Sequence, residues 1–156
     1  MNSAAKGRSK GRHKFEILVI GCGNELRGDD AVGPKTAAMV AEWHLPGIRA
    51  MVCQQFSPDL AVPIAASRRV VFIDSAVEPS GNVTLREVRP AKSQSGNGVP
   101  GPRTLLRLAD EIFGRAPSAF WLTIPIENVN VGQNLSTRAR DGMQTALEKI
   151  RTLAGT

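Results

Sequence analysis

Apolar residues along the chain alternate between short strand-like runs and helical stripes. Ile17 to Ile20 form a short run rich in β-branched residues, ended by Gly21 and Gly23. This is the pattern of a buried parallel strand that leaves its sheet through a glycine turn. From Ala31 the spacing changes to about 3.6, with Val32, Ala37, Val40 and Ala41 on one face. That stripe predicts a helix closed at His44, just before Pro46-Gly47. Residues 47–53 alternate toward a second strand. Ser57-Pro58 predicts a second helix with Ser57 as its cap and Pro58 at its first position.

The same alternation continues to the end of the chain. Arg69 to Asp74 is a buried strand, a turn follows over residues 78–81, and Val83 to Val88 is an edge or antiparallel strand. Residues 89–102 form a long loop, a length that in compact domains goes with function or disorder. A helix over 103–112 and a strand over 119–124 come next. Ser136 then caps a final helix whose apolar face carries Met143, Ala146, Leu147 and Ile150. This order predicts an α/β fold, a three-layer α/β/α sandwich around a mostly parallel twisted sheet of about five strands. It fills a single domain over residues 15–156.

Charge changes the picture only at the N-terminus. Residues 1–14 carry Lys6, Arg8, Lys10, Arg12 and Lys14 without an acidic residue, five of the six excess positive charges. The segment reads as a disordered basic arm, and it has no apolar core of the kind a secretory signal needs. Without a second basic cluster or an aromatic platform, the composition argues against a nucleic-acid partner. No apolar run is long enough to span a bilayer, so no membrane partner is expected. Cys22 and Cys53 are the only cysteines and read as reduced thiols of a cytoplasmic protein.

Candidate chemistry lies where strands end. Asp29 and Asp30 occupy the first strand-to-helix junction, the place where open α/β sheets put their ligand sites. A dinucleotide fingerprint would need glycine at Leu26, and two carboxylates would repel a pyrophosphate. One aspartate can cap the helix, but capping does not account for two. Asp74 ends another strand and is expected to share the crevice with Asp30. Such a pair suits metal ligation, acid–base chemistry or a solvated polar rim. A resident catalytic zinc is unsupported, since there is neither a cysteine cluster nor H-E-x-x-H. Cys22, beside the carboxylates, reads as a small buried thiol, with assistance to a soft metal as the alternative. Ser75 follows Asp74, but no histidine falls in a predicted crevice loop to form a serine–histidine pair.

Gly21-x-Gly23-Asn24-x-Leu26-x-x-Asp29-Asp30-x-x-Gly33 resembles the motif of the hydrogenase maturation proteases. These endopeptidases trim the C-terminus of the large subunit of [NiFe] hydrogenases. The resemblance continues through Gln55-Phe-Ser-Pro58-Asp-Leu60, Asp74, Pro102 with its Leu-Leu helix, Pro125-Ile-Glu127 and Gly132-x-x-Leu135-Ser136, and so covers residues 16–152. It implies that Asp30 and Asp74 contact nickel borne by the hydrogenase precursor rather than resident in the protein. It also implies that the 55–60 segment forms part of one cleft wall. Asp29 is the nearest further carboxylate for activating water, or equally a supporting residue. Asn24 and Gly23 are placed to position substrate backbone. The implied partner is the large-subunit precursor, and the protein is expected to act as a monomer. The chain departs from the pattern at Gly98, where the family has its third metal-contacting residue, a histidine. That departure motivates a second reading, a non-cleaving family member that binds metal or precursor.

Overall fold

A computed structural model describes residues 13–77, 81–93, 100–127, 129–132 and 134–155. The basic arm up to residue 12 and the loop position Gly98 lie outside the described residues. Strand β1 (Phe15–Cys22) leads through a 3-10 turn (Gly28–Ala31) into helix α1 (Val32–Ala41). Strand β2 (Ile48–Cys53) is followed by a second 3-10 turn (Pro58–Leu60), the short helix α2 (Ala61–Ala65) and the long strand β3 (Ser67–Val77). Then come β4 (Thr84–Val88), α3 (Pro102–Phe113), β5 (Ser118–Ile126) and α4 (Thr137–Ala154).

The five strands form one sheet in the order β2-β1-β3-β5-β4. All neighbouring pairs are parallel except β4 with β5, which is antiparallel as its place after a turn predicts. Parallel strands buried on both faces need helices on both. One face packs Val19, Val71, Ile73 and Ile124 against α1 and α4. The other packs Leu18, Ile20, Val70 and Phe72 against α2 and α3, with Phe56 edge-on to Phe72 at 5.7 Å. Phe56 and Leu60 of the 55–60 segment are buried in this second layer.

Several local expectations are corrected. Helix α1 ends at Ala41, not at His44, and His44 turns into the left-handed region with φ 52°. Ala41 lies outside the buried stripe, since by that point the helix has rotated its face to solvent. Ser57 occupies the cap position in extended backbone, but its hydroxyl donates to the nearby Asp59 carboxylate instead of accepting from the turn. Ser136, by contrast, does cap α4 by accepting from the Ala139 N–H at 3.1 Å.

Two glycines fix how the first turn sits. A Cβ on Gly21 would stand 2.1 Å from the Gly33 carbonyl oxygen, so β1 and α1 touch backbone to backbone. Gly23 has φ +152°, and a Cβ there would meet the Asp30 carbonyl oxygen at 2.1 Å. Only glycine admits both the conformation and the approach.

Candidate functional site: two aspartates at the carboxyl edge of the sheet

The close fit of the glycine turn on α1 decides where the two adjacent carboxylates go. Neither caps the helix. Asp29 and Asp30 lie inside the 3-10 turn, whose N-terminal position is Arg27 without a side-chain cap. Consecutive residues of such a tight turn point in different directions, and here the two carboxylates take different environments.

Asp29 is fully buried, with 0% exposure. Its Oδ1 accepts from the Ser136 N–H at 2.7 Å, and its Oδ2 from the Ser136 hydroxyl at 2.6 Å and the Glu127 N–H at 3.0 Å. These bonds tie the turn after β1 to the end of β5 and the start of α4. The strengths of such charge-assisted bonds make Asp29 a joint between three elements.

Asp30 is half-buried and faces the strand ends. Its Oδ2 accepts from the Asn24 N–H at 2.8 Å, and its Oδ1 from the Ser75 hydroxyl at 2.9 Å. The Asn24 side-chain oxygen accepts from the Leu26 N–H at 2.9 Å, a local bond that shapes the exposed loop after the glycine turn. Two further bonds pin this loop to the segment after β5: the Arg27 Nε donates to the Val129 carbonyl at 3.2 Å, and the Gly132 N–H to the Leu26 carbonyl at 3.0 Å.

Asp74 is also half-buried, near the end of β3 and in register with Thr123 of β5. Its Oδ1 accepts from the Ser75 N–H at 2.8 Å. Burial raises its pKa above the ordinary carboxylate range, the Ser75 N–H opposes that rise, and the charge of Asp30 adds to it. Successive strand residues point to opposite faces. Asp74 therefore projects with Val70 and Phe72, and Ser75 projects with Val71 and Ile73 toward α1. Ser75 holds one aspartate by its amide and the other by its hydroxyl.

Cys22 and Cys53 lie at the same edge, as in-register partners on β1 and β2. Both are free. The Cys22 thiol is buried and donates to the Gln54 carbonyl at 3.5 Å. Hydrogen bonding with Cys53 and burial hold Cys22 strongly protonated, and the Asp74 and Asp30 charges act in the same sense. The same hydrogen bond lowers the pKa of the more exposed Cys53. Next to this pair a cavity of about 370 Å³ opens between Gly23, Asn24, Pro34, Val52 and Cys53.

Among the described residues, no group of three or more His, Cys, Asp and Glu side chains is arranged to hold a metal ion. The site therefore presents two hydrogen-bonded carboxylates with lone pairs to spare, which suits a group that brings other ligands with it. The structure brings Asp30 and Asp74, both singled out from the sequence, onto Ser75, which was not expected to anchor them. The sequence signal was its position directly after Asp74, on the opposite face of the strand.

No protein-family model and no curated protein matches the chain. Solved structures do match. The [NiFe] hydrogenase maturation protease HycI from Thermococcus kodakarensis KOD1 superposes with a TM-score of 0.71 at 22% identity, covering 99% of this chain and 100% of its own. The fold is that of the hydrogenase maturation proteases. The hydrogenase 2 maturation peptidase from Thaumarchaeota archaeon SCGC_AB-539-E09 gives a TM-score of 0.67 at 18% identity over 90% of this chain and 98% of its own. The hydrogenase maturating endopeptidase HybD from E. coli gives 0.62 at 20% identity over 89% and 91%. Within this maturation-protease fold, Asp30 lies in the turn that follows β1 and Asp74 inside β3, three residues before its end, near the carboxyl edge where such sheets bind ligands.

Proposed function

We propose that the protein is a hydrolase, an endopeptidase that removes the C-terminal extension of a nickel-loaded [NiFe] hydrogenase large-subunit precursor. The observation that carries this reading is the pairing of Asp30 and Asp74 on Ser75, within the fold that structurally characterised maturation proteases share. The motif resemblance over residues 16–152 points the same way. In this reading Asp30 and Asp74 contact nickel that arrives in the precursor, as part of the substrate. Recognition of the loaded metal then precedes the irreversible cut.

Peptide hydrolysis needs an activated water, and a carboxylate in contact with solvent is a suitable base. Asp30 and Asp74 have that contact, and Asp29 is sealed beneath them. Water activation therefore belongs to the Asp30–Asp74 pair, an aspartic-type arrangement. The proposed role of Asp29 is to hold the turn, and that of Gly23 and Asn24 is to line the approach of the substrate backbone. A cytoplasmic monomer that meets the precursor before hydrogenase assembly fits this role. Among the described residues, no helix is long and apolar enough to cross a membrane.

Gly98, where the family has a histidine, favours a second reading, a non-cleaving protein that binds the precursor. The two are separated by incubating nickel-loaded precursor with the protein. A protease shortens the precursor, whereas a binder shifts it on a native gel and leaves its length unchanged.

A further inference from the structure

Cys22 and Cys53 have no role in the proposed cleavage, yet their placement is specific. They are Cα partners on adjacent parallel strands, so both side chains leave the same face of the sheet. Adjacent strands run about 4.8 Å apart, inside the Cα separation of about 4.4–6.8 Å that a disulfide bridges. The Gly23 N–H donates to the Cys53 carbonyl at 3.0 Å, which locks the two strand ends in this register. The pair is asymmetric: Cys22 is buried, and Cys53 is half-exposed and lines the 370 Å³ cavity beside Asn24.

We propose that Cys22 and Cys53 form a modification site, a dithiol that low-molecular-weight disulfides oxidise to an intramolecular disulfide at the rim of the aspartate site. Cys53 is the attacking sulfur, because it is the more exposed residue of the pair, lines the cavity and ionises more readily than its partner. Its thiolate attacks one sulfur of the oxidant, the oxidant's S–S bond breaks, and one small thiolate leaves. Cys22 then gives up its proton and attacks the Cys53 sulfur, breaking the mixed disulfide and releasing the second small thiolate. The two protein thiols lose two electrons and two protons. The oxidant gains them as two thiols.

A metal held by the two sulfurs is the competing use of such a pair. It is disfavoured because the described residues offer no third ligand in a metal-holding arrangement. The bond would form one residue from Gly23 and two from Asn24, whose N–H holds Asp30. The proposal is independent of whether the chain cleaves a precursor.

The test is titration of the full-length protein with oxidised and reduced glutathione, followed by alkylation, intact mass and peptide mapping. The expected product is about 2 Da lighter, carries a Cys22–Cys53 linkage, and reverts with reduced glutathione. Cys22→Ala is expected to accumulate one glutathione on Cys53, since the second sulfur is missing. Both thiols remaining alkylatable at the most oxidising ratio would overturn the proposal. So would a glutathione adduct that persists in the wild type, or linkage between two chains. Mapping of the wild type decides the matter even where Cys22→Ala does not fold.

Discussion

Asp30 and Asp74 come from different elements and are held by the same residue, Ser75, whose hydroxyl donates to one at 2.9 Å and whose amide donates to the other at 2.8 Å. The relationship separates two jobs within one residue. Ser75→Ala keeps the amide and removes the hydroxyl, so Asp74 stays tethered and Asp30 loses one of its two anchors. Precursor trimming is expected to fall by about 10- to 100-fold, as when a supporting hydrogen bond to a ligand is lost. Stability is expected to change by only about 1 kcal/mol in a urea melt. Ser75→Thr, which restores the hydroxyl, is expected to recover most of the rate.

Asp74 carries a cost to stability when ionised. Its pKa is raised mainly by burial, so the folded state holds this proton more tightly than the unfolded chain does. By linkage, stability is greatest where the group is protonated and is lost as pH rises through its folded pKa. Asp74→Asn removes the buried charge. The variant should match the wild type near the acid end and become progressively more stable than it from about pH 4 upward. Urea melts across pH check this, and the same variant is expected to lose trimming. A gap that closes as pH rises would contradict the assignment.

Asp29, although adjacent to Asp30, is expected to behave in the opposite way. Its carboxylate accepts from Ser136 twice and from Glu127 once, wholly out of solvent. Asp29→Asn turns one acceptor into a donor facing donors. The loss is expected to be about 2–4 kcal/mol, the cost of buried groups left without partners. Urea denaturation measures it directly. Trimming at low temperature, where the variant remains folded, should be affected far less than by Asp30→Asn.

The glycine turn gives a fourth prediction. Gly21 and Gly33 touch through their backbones, so neither side of the contact has a flexible end that can move away. Gly21→Ala is expected to cost about 3 kcal/mol, as overpacking does, and to displace the turn that seats Asp30. Thermal melting reads the first effect, and loss of trimming by the surviving folded fraction reads the second.

The layers of the fold were legible because the central strands carry short apolar runs, Ile17 to Ile20 and Val70 to Ile73, because turn residues separate the elements, and because the longer helices each have one apolar face. Val83 to Val88 was placed as an edge or antiparallel strand for the same reason. Helix ends were less legible. His44 follows Ala41-Glu42-Trp43, which continue a helical pattern, but the backbone enters the left-handed region there. That Asp30 follows the first strand was readable from local pattern, but Asp74, expected to end its strand, lies inside β3, which stays paired with β5 as far as Val77. The role of Ser75 was not readable, because it depends on which face of β3 meets α1. The joint between Asp29 and Ser136 was hidden as well. Ser136 reads locally as a cap, and nothing local announces a carboxylate arriving from more than a hundred residues away. Cys22 and Cys53 look like two isolated thiols until the register of β1 with β2 sets them side by side.

The central claim is tested most directly by intact mass. Nickel-loaded large-subunit precursor is incubated with the wild-type protein and, separately, with Asp30→Asn and Asp74→Asn. The account predicts loss of the precursor's C-terminal extension with the wild type and an unchanged mass with both variants. A precursor that binds the wild type and keeps its full mass would contradict it.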